Sequence, residues 1–425
     1  MSVKKAIQDV LLWRGLNFLS AFMLNVMVAR LFEAEQAGSL FFVINNLSLV
    51  ILLLSFSLES GIGYYTSAGK IDPANAGALA LLWSFSATIP VALYFFIVNS
   101  SPLLGVDLSI PAICFITGSL LISLYSALYY ATGNFIVPNA CSLAVNLILS
   151  LLFIAGLFGA ISIHWLLYAY FIGFPVQGIA IAMHYFYKVK TSKFQLPASG
   201  DFKLIIRYSL IALLGNVIFF LVYRVDYWFV KENATQSGLG NYIQVSKIVQ
   251  WFLLLPMTIS SAIFPLTASA KGNDMMHKVV FLSRLLFWIF FFVSIVLAMT
   301  GRWFFVWLFG DSYASMYPVF LQYKPGILSL AALYPLSSWH AGIKRPDINV
   351  KGSLLALLII VLGNSLFTPR YGIYAAAAVS SIGYLVYFTY SLYVFNKSSK
   401  IKISQFFIPE PNDYSFLKAM LLKRK

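Results

Sequence analysis

Residues 137–158, VPNACSLAVNLILSLLFIAGLF, contain no charged side chain over 22 positions. An α-helix rises about 1.5 Å per residue, so this stretch is long enough to cross about 30 Å of hydrocarbon. Inside lipid a helix satisfies its own backbone hydrogen bonds, which an open strand or loop cannot do. The stretch therefore predicts a membrane-spanning helix.

The composition of the whole chain agrees with that prediction. Of the 425 residues, 60% are apolar and 10% are charged, whereas about a quarter of the residues of a soluble domain are charged. Cys114 and Cys141 both lie within apolar stretches. We interpret them as small buried apolar side chains, because nothing in their spacing is typical of a disulfide framework or a metal site.

Apolar stretches bounded by charged or turn-forming residues recur twelve times along the chain. The first six spans are predicted near residues 8–30, 37–64, 77–99, 110–131, 137–158 and 164–187. The second six are predicted near residues 207–231, 240–270, 279–300, 318–340, 352–368 and 372–396. We therefore predict an all-α integral membrane protein with about twelve transmembrane helices in two six-helix lobes.

The lobes and their connections follow from the same boundaries. The N-terminal lobe is predicted over residues 1–190, a cytoplasmic linker over 191–206, the C-terminal lobe over 207–396 and a basic cytoplasmic tail over 397–425. The tail mixes basic and apolar residues, which is typical either of an amphipathic helix lying on anionic lipid or of a flexible basic end.

The distribution of Lys and Arg predicts the orientation. Cytoplasmic loops of membrane proteins are enriched in these residues. With both termini in the cytoplasm, 21 of the 29 Lys and Arg residues fall in cytoplasmic segments. The first apolar stretch carries charges and has no small-residue cleavage pattern, so we expect it to be a retained helix rather than a signal peptide. The basic residues are dispersed among short loops, and nucleic acid is therefore not an expected partner.

Several kinds of chemistry are not expected from this sequence. It has no glycine-rich phosphate loop and no dinucleotide fingerprint, so direct use of ATP is not predicted. The four histidines are scattered without metal-ligand spacing, and no Ser/His/Asp grouping stands out. We predict that the protein is not an enzyme and that it needs no metal or cofactor, a proton or sodium gradient being the expected energy source.

Polar residues in the predicted spans are the main functional candidates, since an ionised group at membrane depth costs about 3 kcal/mol on insertion scales. In the first span, Arg14, Asn17 and Asn25 lie near one helical face, which indicates a polar lumen. The alternative for Arg14 is that it reaches the cytoplasmic interface or pairs with Asp9.

The seventh predicted span contains Arg224 and Asp226, with Asn216 two turns earlier. Residues two apart on a helix point about 200° away from each other, so the two charges cannot neutralise one another directly. A helix with hydrated flanks would satisfy both, and we assign Asn216 to the polar lumen. The alternative is that both charges reach the outer headgroups.

Three further charges have two interpretations each. Lys324 precedes Pro325-Gly326, a predicted helix breaker, and lies either within the tenth span or in the loop before it. Lys247 is similarly ambiguous. Glu59 can bind a coupling ion or pair with a loop lysine. Taken together, the candidates are mainly cationic, and a cationic lumen suits an anionic substrate such as a phosphate or pyrophosphate group.

Several short motifs occur in order along nearly the whole chain. They are VARLF at 28–32, EQAG at 35–38, Arg224 with Asp226, GNY at 240–242, FPL at 264–266 and TPRYGIYAA at 368–376. In these motifs the chain resembles bacterial polysaccharide flippases, the O-antigen transporters of the multidrug/oligosaccharidyl-lipid/polysaccharide exporter superfamily. The segment Phe309 to Tyr317 departs from the family pattern.

The resemblance implies two lobes around a central cavity. It implies flipping of an undecaprenyl-pyrophosphate-linked sugar unit from the inner to the outer leaflet of the bacterial cytoplasmic membrane. Arg14, Arg224, Lys247 and Lys324 would attract the anionic substrate, while Asp226 or Glu59 would couple transport to an ion gradient. Expected partners are membrane lipid, the lipid-linked glycan and other proteins of polysaccharide assembly.

Three alternatives remain open at this point. An exporter of cationic drugs would share the topology, although acidic rather than basic residues would be expected in its lumen. A membrane enzyme of polysaccharide assembly would need a larger loop to gather catalytic groups than the sequence provides. A structural scaffold would not explain ionisable residues in several spans.

Overall fold

Helices form nearly all of the described chain. The computed structural model describes residues 3–98, 102–189, 195–261, 263–269, 274–410 and 413, with side chains described from Leu12 onward except at residues 265, 268, 269 and 274. The chain divides into two compact units, Met1–Val217 and Ile218–Lys425. The predicted lobe boundary at residues 191–206 lies shortly before this division.

The first unit is built from eight helices, the last of which continues into the second unit. They are α1 (Val3–Ser55), α2 (Leu58–Ser67), α3 (Pro73–Ser86), α4 (Ile89–Ile97), α5 (Ser109–Ala131), α6 (Ile136–Leu157), α7 (Ile163–Val189) and α8 (Ser199–Arg224). Helix α8 therefore begins inside the segment that was predicted as a linker.

Left-handed residues mark the end of the first predicted span and interrupt the second. Glu33 has φ 55° and interrupts α1, so the first span ends close to the predicted residue 30. Phe56 and Ser57 have φ 49° and 52° and interrupt the second span, which was predicted as continuous to residue 64. Asp72 then caps α3 by accepting a hydrogen bond from the Ala74 backbone N–H at 2.7 Å.

The core of the first unit lies around α5, which contacts α2, α3 and α7. The buried hydroxyl of Tyr125 donates to the Gly77 carbonyl at 2.9 Å, and that of Tyr185 donates to the Pro73 carbonyl at 2.8 Å. Gly118 permits the close approach of α5 to α7, because a Cβ there would stand 2.3 Å from the Pro175 nitrogen. Small residues allow this kind of helix packing in membranes.

The second unit contains the end of α8 and seven further helices. They are α9 (Asp226–Asn233), α10 (Gln236–Phe252), α11 (Leu254–Ser261), α12 (Ile263–Ser269), α13 (Asp274–Phe309), α14 (Met316–Gly342) and α15 (Pro346–Ser399). Two 3₁₀ turns, Asp311–Tyr313 and Ile403–Phe406, complete its secondary structure.

Helix α14 lies at the centre of this unit, against α10, α13 and α15. It continues through Pro325, so the predicted break at Pro325-Gly326 is wrong and Lys324 lies inside a helix. The Ser381 hydroxyl on α15 donates to the Gln322 carbonyl on α14 at 2.7 Å. Gly372, with φ 59°, divides α15, since glycine adopts this conformation without the steric cost other residues meet.

The helices account for the predicted spans and confirm the all-α membrane fold. Nine described segments are long and apolar enough to cross a bilayer, including Leu12–Ser55 with 44 residues and Pro346–Ser399 with 54. Glu33 divides the first of these segments into two spans, and Gly372 divides the second. Helix α14 is more polar than these segments, but its 27 residues are also enough to cross a bilayer. Together they make twelve described segments, six that end by Val189 and six that begin at Ser199 or later.

The part of the tail that the structure describes packs against α13 and α15. Arg284 on α13, only 4% exposed, donates to the carbonyls of Gln405 and Ile408 and pairs with Asp413. The Trp288 indole donates to the Phe407 carbonyl at 2.8 Å. Residues 401–410 are thus neither a surface-lying amphipathic helix nor a free end, while residues 414–425 lie outside the described residues.

Candidate functional site

The most buried acidic group described in the second unit is Asp226, at the first position of α9. Helix α8 ends at Arg224 and α9 begins at Asp226. The break between the two helices therefore lies between the two charged residues selected from the sequence. Asp226 is 0% exposed. Arg224, in contrast, is half-buried. The two charges therefore have different surroundings, on either side of a helix break that the spacing argument did not include.

Three hydroxyl groups from three other helices converge on one carboxylate oxygen of Asp226. Oδ2 accepts from Tyr242 of α10 at 2.5 Å, Ser380 of α15 at 2.7 Å and Tyr323 of α14 at 3.2 Å. The Tyr323 and Tyr242 hydroxyls are themselves 2.8 Å apart. We name Asp226, Tyr242, Tyr323 and Ser380 the carboxylate cluster.

The other carboxylate oxygen is differently placed. Among the described residues, Oδ1 of Asp226 has no hydrogen-bond partner, and the same is true of the side-chain amide of buried Gln244. A buried polar atom without a partner costs free energy. Such an oxygen can accept a proton or join other oxygen atoms around a small cation, which are the two forms of ion coupling expected from the sequence.

Arg224 and Lys247 bring two positive charges onto neighbouring helices of the second unit. The Arg224 guanidinium lies 3.5 Å from Oε1 of Gln250 on α10 and 5.2 Å from the ring centre of Phe220. Lys247, also on α10 and half-buried, is within electrostatic range of Arg224. Gln250 follows Lys247 by about one helical turn, so an anion near the end of α8 could interact with both side chains.

Lys324 occupies a separate position on α14. It directly follows Tyr323, whose hydroxyl belongs to the carboxylate cluster, and its own side chain is half-buried. The structure thus places Lys324 in the same unit as Arg224 and Lys247 but on a third helix.

In the first unit, Arg14 stands over a pair of aromatic rings. Its guanidinium lies 5.3 Å from the ring centre of Tyr130 and 5.6 Å from that of Phe135, and the two rings are stacked on each other. Arg14 is exposed. The cation–π contacts stabilise the side chain in a defined position. The side chain of Asp9, its alternative partner, lies outside the described residues.

The asparagines assigned to a polar lumen contact other helices of the first unit. The Asn17 amide donates to Oδ1 of Asn139 on α6 and accepts from Asn146, both at 3.3 Å, so it joins α1 to α6. Asn216 on α8 donates to the Ser57 hydroxyl at 3.0 Å, at the left-handed break after α1. Asn25 is buried.

Glu59 lies in the first turn of α2, where a helix dipole stabilises a negative charge. Its side chain is half-buried, and Oε2 has no hydrogen-bond partner among the described residues. It remains a candidate for ion coupling within the first unit.

Sequence reasoning missed the hydroxyl groups of the carboxylate cluster. Tyr242 lies within the GNY motif, but no pattern assigns its hydroxyl to Asp226, 16 positions earlier. Tyr323 and Ser380 are still further along the chain. The role of Arg284 was missed too, because its charge was explained by the cytoplasmic loop.

Solved structures with the same fold are known transporters. The chain matches an inward-facing multidrug resistance MATE family transporter of the MOP superfamily with a TM-score of 0.70, at 12% identity over 90% of this chain and 94% of that one. It matches the lipid II flippase MurJ in an inward closed conformation with a TM-score of 0.69, at 13% identity over 98% and 93%.

A third match is a MOP superfamily transporter from Pyrococcus furiosus, described as having a binding pocket of reverse polarity. Its TM-score is 0.65, at 14% identity over 93% of this chain and 96% of that one. No known family profile and no curated protein sequence matches the chain. At these identities the likeness establishes the fold of MOP superfamily transporters.

Proposed function

We propose that this protein flips undecaprenyl-pyrophosphate-linked oligosaccharide units across the bacterial cytoplasmic membrane by alternating access. The observation that carries the proposal is the contact of Arg224, at the end of α8, with Gln250 on α10, one helical turn after Lys247. Cations at membrane depth are costly and are usually functional. A pyrophosphate can accept hydrogen bonds from the Arg224 and Lys247 side chains, whereas a cationic drug would be repelled by them.

The remaining candidates receive roles that follow from their positions. Arg14, held over Tyr130 and Phe135, supplies a further cation for the substrate in the first unit, and Lys324 supplies one in the second. Arginine suits this task because its N–H groups match two phosphate oxygens at once. Both termini are assigned to the cytoplasm, where other proteins of polysaccharide assembly would meet the transporter.

Asp226 is assigned to coupling with a proton or sodium gradient. Asp226 is fully buried, and one of its oxygens accepts no hydrogen bond of standard geometry from the described residues. Binding of a proton or cation there would offset the cost of burial. Binding there would alter the hydrogen bonds from α10, α14 and α15. The carboxylate cluster could therefore link ion binding to a rearrangement of these helices.

Export of cationic drugs is the second candidate, and the same Asp226 favours it. A buried carboxylate among tyrosine rings is a suitable partner for an organic cation. The MATE family structure that shares this fold is described as a multidrug resistance transporter.

The two candidate functions require substrates of opposite charge. Purified protein would be reconstituted into liposomes and supplied either with fluorescent undecaprenyl-pyrophosphate oligosaccharide or with ethidium, under imposed proton or sodium gradients. The proposal predicts movement of the lipid-linked oligosaccharide and none of ethidium. Gradient-driven ethidium efflux without oligosaccharide movement would establish the exporter instead.

A further inference from the structure

A cavity of about 360 Å³ opens on the first unit where α5 meets α6 and where α7 ends. Its described lining consists of Asn134, Ile136, Val137, His184, Tyr187 and Lys188. None of these six belongs to the substrate or coupling residues assigned above. The volume lies within the range typical of small-molecule sites, about 300–1,000 Å³.

The loop between α5 and α6 fixes one wall of the cavity. Gly133 adopts φ 75°, and the Asn134 backbone N–H then donates to the Tyr129 carbonyl at 2.9 Å. Oδ1 of Asn134 accepts from the backbone N–H groups of Ile136 and Val137 at 3.1 and 3.4 Å. That oxygen caps α6, so the amide nitrogen of Asn134 is the atom that would donate to a ligand in the cavity.

A buried tyrosine orients the imidazole on the opposite wall. The Tyr129 hydroxyl lies 2.5 Å from Nδ1 of His184, and Tyr129 is 1% exposed. We assign the proton of this contact to the Tyr129 hydroxyl, because a buried hydroxyl is satisfied by donating. With that assignment Nδ1 accepts and the ring proton lies on Nε2. His184 is itself exposed, and its Nε2–H is therefore available as a second donor.

Lys188 adds a positive charge, and the described lining includes no Asp or Glu. The polar groups available to a ligand are thus an amide, an imidazole N–H and an ammonium, all of which donate. The rest of the lining, Ile136, Val137 and Tyr187, is apolar or aromatic. Such a cavity complements a ligand that combines an anionic group with a hydrocarbon chain.

The cavity also lies where such a ligand is abundant. Helix α7 ends at Val189, and the sequence that follows, Lys190 to Lys193, is polar and basic. The site is therefore at the boundary of the membrane, on the side that the charge distribution assigns to the cytoplasm. Anionic phospholipid headgroups interact favourably with Lys residues at that surface.

We propose that this cavity binds an anionic phospholipid, with the lipid phosphate held by Asn134, His184 and Lys188 and an acyl chain lying against Ile136 and Val137. The bound lipid would join the α5–α6 loop to the end of α7. The proposal is independent of the transported substrate, because it uses none of the residues assigned to the flippase or to ion coupling.

Native mass spectrometry of the full chain in detergent tests the site by titration with phosphatidylglycerol. The test variant is His184→Gln/Lys188→Gln, and the matched control is His277→Gln/Lys278→Gln, which removes the same two residue types from the start of α13. We expect the dissociation constant for phosphatidylglycerol to rise about fivefold or more in the test variant and to stay within about twofold of wild type in the control.

Two further titrations identify the ligand class. Phosphatidylcholine should bind more weakly than phosphatidylglycerol, and millimolar inorganic phosphate should not displace the lipid. Equal affinity for the two lipids, displacement by free phosphate, or unchanged phosphatidylglycerol binding in the test variant would each overturn the proposal.

Discussion

The hydroxyl of Tyr242 lies 2.5 Å from Oδ2 of Asp226, although the two residues stand on different helices. With Tyr323 and Ser380 donating to the same oxygen, the contact connects four helices of the second unit through one carboxyl group. The helices are held together at the residue that we assign to ion coupling, so stability and coupling should depend on the same side chains.

Removal of the Tyr242 hydroxyl should lower stability. A hydrogen bond to a charged group contributes about 1.5–3 kcal/mol, and Tyr242→Phe should therefore reduce the free energy of unfolding in detergent by about that amount. Tyr393→Phe, at an exposed position on the same unit, is the control and should be neutral. Equal melting temperatures for the two variants would contradict the role of the carboxylate cluster.

Neutralising Asp226 should uncouple transport from the gradient. In proteoliposomes, Asp226→Asn should still allow slow equilibration of substrate, but an imposed proton or sodium gradient should no longer accelerate it. Glu59→Gln makes the same chemical change in the first unit. Loss of gradient dependence in Glu59→Gln and its retention in Asp226→Asn would transfer the coupling role to Glu59.

Replacing Arg284 should weaken the packing of the described tail residues against α13 and α15. Arg284→Ala removes the donor to the Gln405 and Ile408 carbonyls and the partner of Asp413, so limited proteolysis should cleave after residue 400 much faster than in wild type. Arg302→Ala, at an exposed position on the same helix, is the matched control. Equal cleavage rates in the two variants would show that the ring contacts of Phe407 with Phe287 and Phe388 hold the tail without Arg284.

The same substitution at two glycines should have opposite effects. Gly118→Ala places a methyl group 2.3 Å from the Pro175 nitrogen, and such overpacking costs about 1–3 kcal/mol. Gly215 in α8 has no described atom within 4 Å of an added Cβ, so Gly215→Ala should be neutral or stabilise by about 0.5–1 kcal/mol. Thermal unfolding of both variants tests the close contact of α5 and α7.

Much of the fold could be predicted from local sequence, because lipid imposes a length and a polarity on every span. The predicted spans at 110–131, 137–158 and 164–187 differ from α5, α6 and α7 by at most two residues at either end. The left-handed residues Phe56 and Ser57 could not be predicted, because neither is a glycine and the Asn216 contact at Ser57 comes from a helix 159 positions away.

The candidate site was predictable only in part. Membrane depth made Arg224, Asp226 and Lys247 conspicuous, since charges are rare there. The helix predicted to break at Pro325 continues, because packing against α13 and α15 outweighs the local effect of a proline. Residues such as Tyr323 and Ser380 carry no local signal, as tyrosine and serine are common in membrane helices for other reasons.

The most direct test of the central claim is the flipping rate of fluorescent undecaprenyl-pyrophosphate oligosaccharide in liposomes that contain Arg224→Gln/Lys247→Gln. Arg302→Gln/Lys231→Gln removes the same two residue types from α13 and α9, at positions with no assigned role in transport, and serves as the control. The account predicts a loss of at least about tenfold in the test variant, with wild-type folding and a control rate close to wild type. An unchanged rate in the test variant would contradict the assignment of these two cations to the substrate.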